Sequence, residues 1–126
     1  MMDLKTVLLI LFILLVHWFA DFVLQTEDEA RRKSYDNRKL LEHTVTYSII
    51  WLWVSLWLGL ICDLPKTIIW FAPITFVCHT VTDYFTSRIN KKLWMKNDSH
   101  AFFVSVGFDQ LLHYVQLFLT YWFLTK

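Results

Sequence analysis

Residues 4–25 read LKTVLLILFILLVHWFADFVLQ, an apolar run entered through Lys5 and Thr6 and broken near its far end by His17 and Asp21. A helix needs about 20 predominantly apolar residues to cross the hydrocarbon core of a bilayer. This stretch therefore predicts a membrane span. Three further stretches have the same character, residues 43–62, 66–87 and 100–124. Together they predict a single all-α domain over residues 1–126, an integral membrane four-helix bundle. A charged segment from Thr26 to Glu42, a turn at Asp63 to Pro65 and a basic loop from Arg88 to Ser99 would connect the helices.

Composition agrees with that reading. The chain is 56% hydrophobic and holds only two glycines and two prolines, and its apolar residues come in blocks rather than alternating with polar ones at period 3.6, as a soluble helix would require. Lys5 followed by Thr6–Val16 has the form of a signal peptide. Apolar character continues through Trp18, Phe19, Phe22, Val23 and Leu24 with no small-residue cleavage pattern, so the first helix is expected to stay.

Positive charge is distributed unevenly. Of the twelve Lys and Arg residues, Arg31, Arg32, Lys33, Arg38 and Lys39 follow the first helix and Arg88, Lys91, Lys92 and Lys96 the third, which leaves Lys5, Lys66 and Lys126 for the other side. The positive-inside rule then puts both long loops in the cytoplasm and both termini outside, in a bacterial inner membrane. These charges need no nucleic acid to explain them, and none is expected as a partner. Trp57, Trp70 and Trp122 fall near the opposite ends of their helices, where an aromatic belt belongs, while Trp18, Trp51 and Trp53 lie deeper. Cys62 and Cys78 have neither metal-ligand nor redox spacing and are assigned no disulfide.

The polar residues inside the spans carry the functional signal. His17 and Asp21, His79 and Asp83, and Asp109 and His113 are each four residues apart, which puts each pair on one helical face. A central Asp costs on the order of 2.5 to 3.5 kcal/mol on insertion scales, so such residues usually mark function. Residues 17–22 (HWFADF) and 79–84 (HTVTDY) share the pattern His-x-x-x-Asp-aromatic, and both precede a basic loop. The chain thus reads as two helical hairpins in a weak parallel repeat, a plan known from membrane carriers. At a rise of 1.5 Å per residue, His17, His79 and Asp109 lie roughly 12 to 14 Å from the charged end, with Asp21, Asp83 and His43 nearer to it and His113 one turn deeper. One cluster in the cytoplasmic half is expected, beneath a nearly apolar outer half.

No Lys or Arg lies within a predicted span away from its ends, so each aspartate should be protonated, paired with an imidazolium or bound to a metal. Imidazole and carboxylate together are the usual ligands of zinc, with manganese or iron as alternatives. His17, His79, His113, Asp109 and His43 are the expected ligands. Asp21 and Asp83 would complete the set or act as general base. So many groups exceed four ligands, so either the site is dinuclear or some aspartates orient ligating imidazoles. Hydrogen bonds that merely fix helix register, or a proton relay in a transporter, would use the same residues. Gln25 extends the stripe of Asp21, whereas Gln110 is expected to point about 100° away from Asp109 into a packing or interhelical bond. His100 belongs at the interface. Pro73 is expected to kink the third helix, and Gly107 to admit a neighbouring backbone. There is no Gly-rich phosphate loop and no Ser-His-Asp order.

The segments HWFADFVLQT, KLLEH, HTVTDYFTSR and FDQLLHY together resemble a family of small bacterial and phage membrane proteins catalogued as domain of unknown function 3307. The resemblance implies an inner-membrane helical protein with His17, Asp21, Gln25, His43, His79, Asp83, Asp109, Gln110 and His113 at motif positions. It implies no activity. Membrane-bound hydrolases that set histidines and acids in their helices offer an analogy of architecture only. The leading expectation is a metal-dependent hydrolase acting on a lipid or lipid-linked ester or phosphoester. A metal-ion or proton-coupled transporter and a non-enzymatic phage or host membrane factor are the alternatives. A homodimer that completes the pocket stays open.

Overall fold

A computed structural model describes residues 3–126 and contains no strand among them. Helix α1 (Leu4–Trp18) starts at Asp3, whose carboxylate accepts from the Thr6 N–H at 2.7 Å. Its chain then widens into a π-turn, Phe19–Val23, closed where Leu24 N–H donates to the Phe19 carbonyl at 3.1 Å. The short α2 (Glu27–Arg32) begins with a capping box between Thr26 and Glu29. Asp36 caps α3 (Asn37–Ile61), and a 3₁₀ turn, Lys66–Trp70, leads into α4 (Phe71–Met95). Asp98 caps α5 (Ser99–Leu124). Four segments, Leu4–Val23, Asn37–Ile61, Lys66–Met95 and Ser99–Leu124, are long and apolar enough to cross a membrane. The chain is a multi-pass membrane protein.

Two helices are longer than hydropathy predicts. α3 opens at Asn37 rather than His43, and α4 runs on to Met95 instead of stopping near Ser87. Hydropathy marks where the bilayer ends, but Arg, Lys and Leu are good helix formers and carry the helix beyond it. Only residues 96–98 remain between α4 and α5, turned by Asn97 at φ 56°. Pro73 sits in the first turn of α4, where its missing N–H leaves no helical bond unmade, so the expected kink has no cause. Gly107 admits no close neighbour: a Cβ added there meets nothing within 4 Å.

Successive long helices alternate in direction, so α1 and α4 run the same way. α4 packs between α3 and α5, and α1 meets α3 chiefly through the π-turn. At the end away from α2 the interior is filled by Ile13, Trp51, Ile68, Phe71, Ala72 and Leu117. Outward-facing Leu8, Leu15, Trp53, Val77, Phe103 and Leu119 are exposed, as lipid-facing residues are. Helix association within lipid lacks a strong hydrophobic drive, which leaves close packing and interhelical polar contacts to hold the bundle. Those contacts concentrate in the half nearer α2.

Candidate functional site

The π-turn places His17 and Asp21 in the interior from α1, while α3 contributes His43 and Tyr47, α4 contributes His79 and Asp83, and α5 contributes Asp109, Gln110 and His113. All four site histidines and all three aspartates are buried. The three pairs four residues apart are not the tightest ones: His17–Asp21, His79–Asp83 and His113–Asp109 stand at 3.7, 3.7 and 3.4 Å. Shorter links cross between helices. His43 Nε2 donates to Asp21 Oδ1 at 3.0 Å, and His113 Nε2 to Asp83 Oδ1 at 3.1 Å.

The hydrogen bonds assign the imidazole tautomers, because carboxylate and amide oxygens only accept and amide N–H groups only donate. His43 Nδ1 accepts from Gln25 Nε2 at 3.1 Å, consistent with a proton on Nε2. His113, with its proton on Nε2, offers Nδ1 to His79 Nδ1–H at 3.2 Å. The neutral ring of His79 then bears a bare lone pair on Nε2. That nitrogen faces Asp21 Oδ1 at 3.5 Å and Asp83 Oδ2 at 3.7 Å, two oxygens with no proton to give. A cation among the three atoms would replace their repulsion with attraction.

Ligand atoms of Asp21, His43, His79 and Asp83 lie within 4.8 Å of one another, and so do those of Asp83, Asp109 and His113. Asp83 belongs to both groups. Asp109 Oδ1 is buried and accepts no hydrogen bond, with His113 Nε2 3.4 Å away and unaligned. The chemistry of the donor set and this orphaned oxygen both fit a divalent ion.

His17 lies outside both groups, and both of its nitrogens are engaged. Nδ1 accepts from the Tyr47 hydroxyl at 2.7 Å, and Nε2 donates to Gln110 Oε1 at 2.8 Å. Gln110 in turn donates to Asp109 Oδ2 at 3.1 Å and to Asp21 Oδ2 at 3.4 Å. It does point into an interhelical bond, but one that braces two site carboxylates. Gln25 reaches His43, so it too belongs to the site. His100 is exposed at the start of α5, as expected of an interfacial residue.

Two participants escape the sequence reading. Tyr47 is fully buried, one turn beyond His43, and stacks on the His79 ring with centroids 3.9 Å apart. The same four-residue spacing that picks out the His-Asp pairs could have found it. The second is a correction. The aspartates do have a cationic partner, because Lys33 reaches in from the connection after α2 and donates to Asp83 Oδ2 at 2.7 Å. Burial pulls the Lys33 ammonium toward neutrality, but the carboxylates of Asp83 and Asp21 outweigh it and raise its pKa. A loop residue has no periodicity to give it away.

Beside the site a cavity of about 600 Å³ is floored by Asp21, Asp109 and Gln110 and opens at the end where α2 lies. At the opposite end the gap among Ile13, Trp51, Phe71 and Tyr121 holds about 10 Å³, too little for more than a single water. That outer half is not wholly apolar, since Gln116 donates to Thr75 and Thr120 there at 3.2 and 3.0 Å. Cys62 and Cys78 are both free thiols. Residues 8–126 match a family described as Protein of unknown function (DUF3307). No curated protein and no solved structure shows significant similarity to the chain.

Proposed function

The chain belongs to the DUF3307 family, and for this member of it we propose a metal-dependent membrane hydrolase that acts on a lipid or lipid-linked ester or phosphoester. The observation that carries the reading is the pair of ligand groups, each within 4.8 Å, joined through Asp83. A carboxylate common to both groups is what a two-ion site uses as a bridge. Asp21, His43 and His79 would hold one ion with Asp83, and Asp109 and His113 the other. Zinc suits the imidazole and carboxylate set best, with manganese or iron as alternatives.

Divalent ions there would supply a water acidified toward neutral pH and polarise the ester oxygen. The chain's own residues do the rest. Stacking by Tyr47 fixes the plane of His79, and His17 holds Gln110 so that Asp21 and Asp109 keep their orientation. Asp21, at the cavity floor, is placed to take the proton of an attacking water. The basic loops put the open end in the cytoplasm by the positive-inside rule. Transport through the same residues would need access from both faces, and the filled far end supports a one-sided site instead.

Metal content of detergent-purified protein tests this, measured for wild type and for His79→Ala and Asp109→Ala. Bound divalent metal lost in His79→Ala is expected. Metal-free wild type that melts at the same temperature with and without chelator would overturn the reading.

A further inference from the structure

We infer that the cavity between α1 and α5 is a lateral binding cleft for an anionic phospholipid. The inference rests on the hydrolase reading and deepens it by naming the substrate class.

The two helices are joined at His17 and Gln110. Toward the charged end, the walls of the cavity between them are Phe22 from the π-turn and Phe102 and Phe103 from α5. Phe22 and Phe103 are 47% and 67% exposed on the outer, lipid-facing surface. Apolar surface therefore continues from the bilayer into the cleft, and an acyl chain can pass along it without crossing a polar barrier. A soluble substrate would have no use for such walls.

The rim carries the opposite signal. Arg31, Lys33 and Lys91 line the cavity. Lys91 rests its ammonium 3.9 Å from the centre of the Tyr35 ring, and among the described residues no carboxylate pairs with it. Arg31 is held by Glu27 on the exposed side of α2. Cations at the interface level are positioned for a lipid phosphate, and Asp21, Asp109 and Gln110 lie deeper, at the level of the ester linkages of a seated lipid. A cavity of about 600 Å³ falls within the 300 to 1,000 Å³ of small-molecule sites. It has room for a head group and glycerol backbone while the chains stay in the membrane.

The test is lipid retention by native mass spectrometry on delipidated protein in detergent with chelator present, using phosphatidylglycerol and phosphatidylcholine as probes. Arg31→Gln with Lys91→Gln removes two rim charges, and Lys92→Gln with Lys96→Gln removes two nearby charges that do not line the cleft. Wild type is expected to retain phosphatidylglycerol at least tenfold better than phosphatidylcholine. Each rim charge removed should cost about fivefold, while the Lys92 and Lys96 variant should match wild type. Equal retention of the two lipids, or equal loss in both double variants, would overturn the inference. If the rim variant does not fold, competition on wild type decides: displacement by millimolar glycerol 3-phosphate would mean a soluble phosphate site, and resistance supports lipid. Because chelator is present throughout, selective retention in a protein without metal would sink the hydrolase and leave the cleft standing. Bound metal with no lipid selectivity would do the reverse.

Discussion

Lys33→Met should strengthen divalent metal binding while weakening the metal-free protein. The Lys33 ammonium stands 2.7 Å from Asp83 Oδ2, and an ion on that oxygen would sit about 2.1 Å beyond it. The two cations could then be separated by no more than about 5 Å. At an effective dielectric of about 20, a +1 and a +2 charge at that distance repel by roughly 6 to 7 kcal/mol. That figure is a ceiling, because the side chain is 17% exposed and its flexible stem can carry the ammonium outward. The smaller and firmer cost is the charged hydrogen bond to Asp83 that must break, about 1.5 to 3 kcal/mol. Removing the ammonium in advance should therefore tighten metal affinity about 10- to 100-fold, read by competition with a fluorescent chelator in detergent. Without metal the same substitution leaves Asp83 buried beside no cation, and breaking such a pair costs about 3 to 5 kcal/mol. Chelated Lys33→Met should melt well below chelated wild type, and added metal should close most of the gap. Unchanged or weaker metal affinity would refute competition between Lys33 and the ion.

Other substitutions probe separate parts of the site. Asp109→Ala should lower bound metal from two equivalents per chain to one by elemental analysis, whereas Asp83→Ala should remove both; one equivalent in wild type would argue against a bridged pair. Tyr47→Phe deletes the donor to His17 and should lower stability by about 1 to 3 kcal/mol in denaturant titrations while metal content holds. Gln110→Leu should leave metal bound but reduce turnover of a lipid ester by about 10- to 100-fold, the range expected when a group that orients ligands is lost; equal activity would remove Gln110 from the positioning role.

Much of this was legible before any coordinates, for a physical reason. Hydrocarbon excludes charge so strongly that His17, Asp21, His79, Asp83, Asp109 and His113 stand out from apolar neighbours, and helical rise alone sets them at neighbouring depths. Pairing was not legible. Spacing four residues apart on one helix promises a contact, but the rotation of each helix about its axis decides which neighbour a side chain meets, and here His43 meets Asp21 and His113 meets Asp83. Lys33 was invisible for a different reason. It belongs to a connection whose path is set by α2 packing on α3, including the 2.9 Å ion pair of Lys39 with Asp28. The ends of α3 and α4 were missed because the bilayer boundary and the helix boundary are different things. Tyr47 blended into a helix rich in aromatic residues.

The π-turn at Phe19–Val23 has a consequence for how such a chain can change over generations. Replacing a residue there alters one side chain, but losing one residue would draw the turn back to regular α geometry and rotate whatever follows by about 100°. His17, held by Tyr47 and Gln110, and Asp21, held by His43, could not both keep their partners. Single-residue deletions between His17 and Thr26 should therefore be tolerated far less well than substitutions at the exposed Phe19, Phe22 or Val23. The length of this segment is under tighter constraint than its spelling.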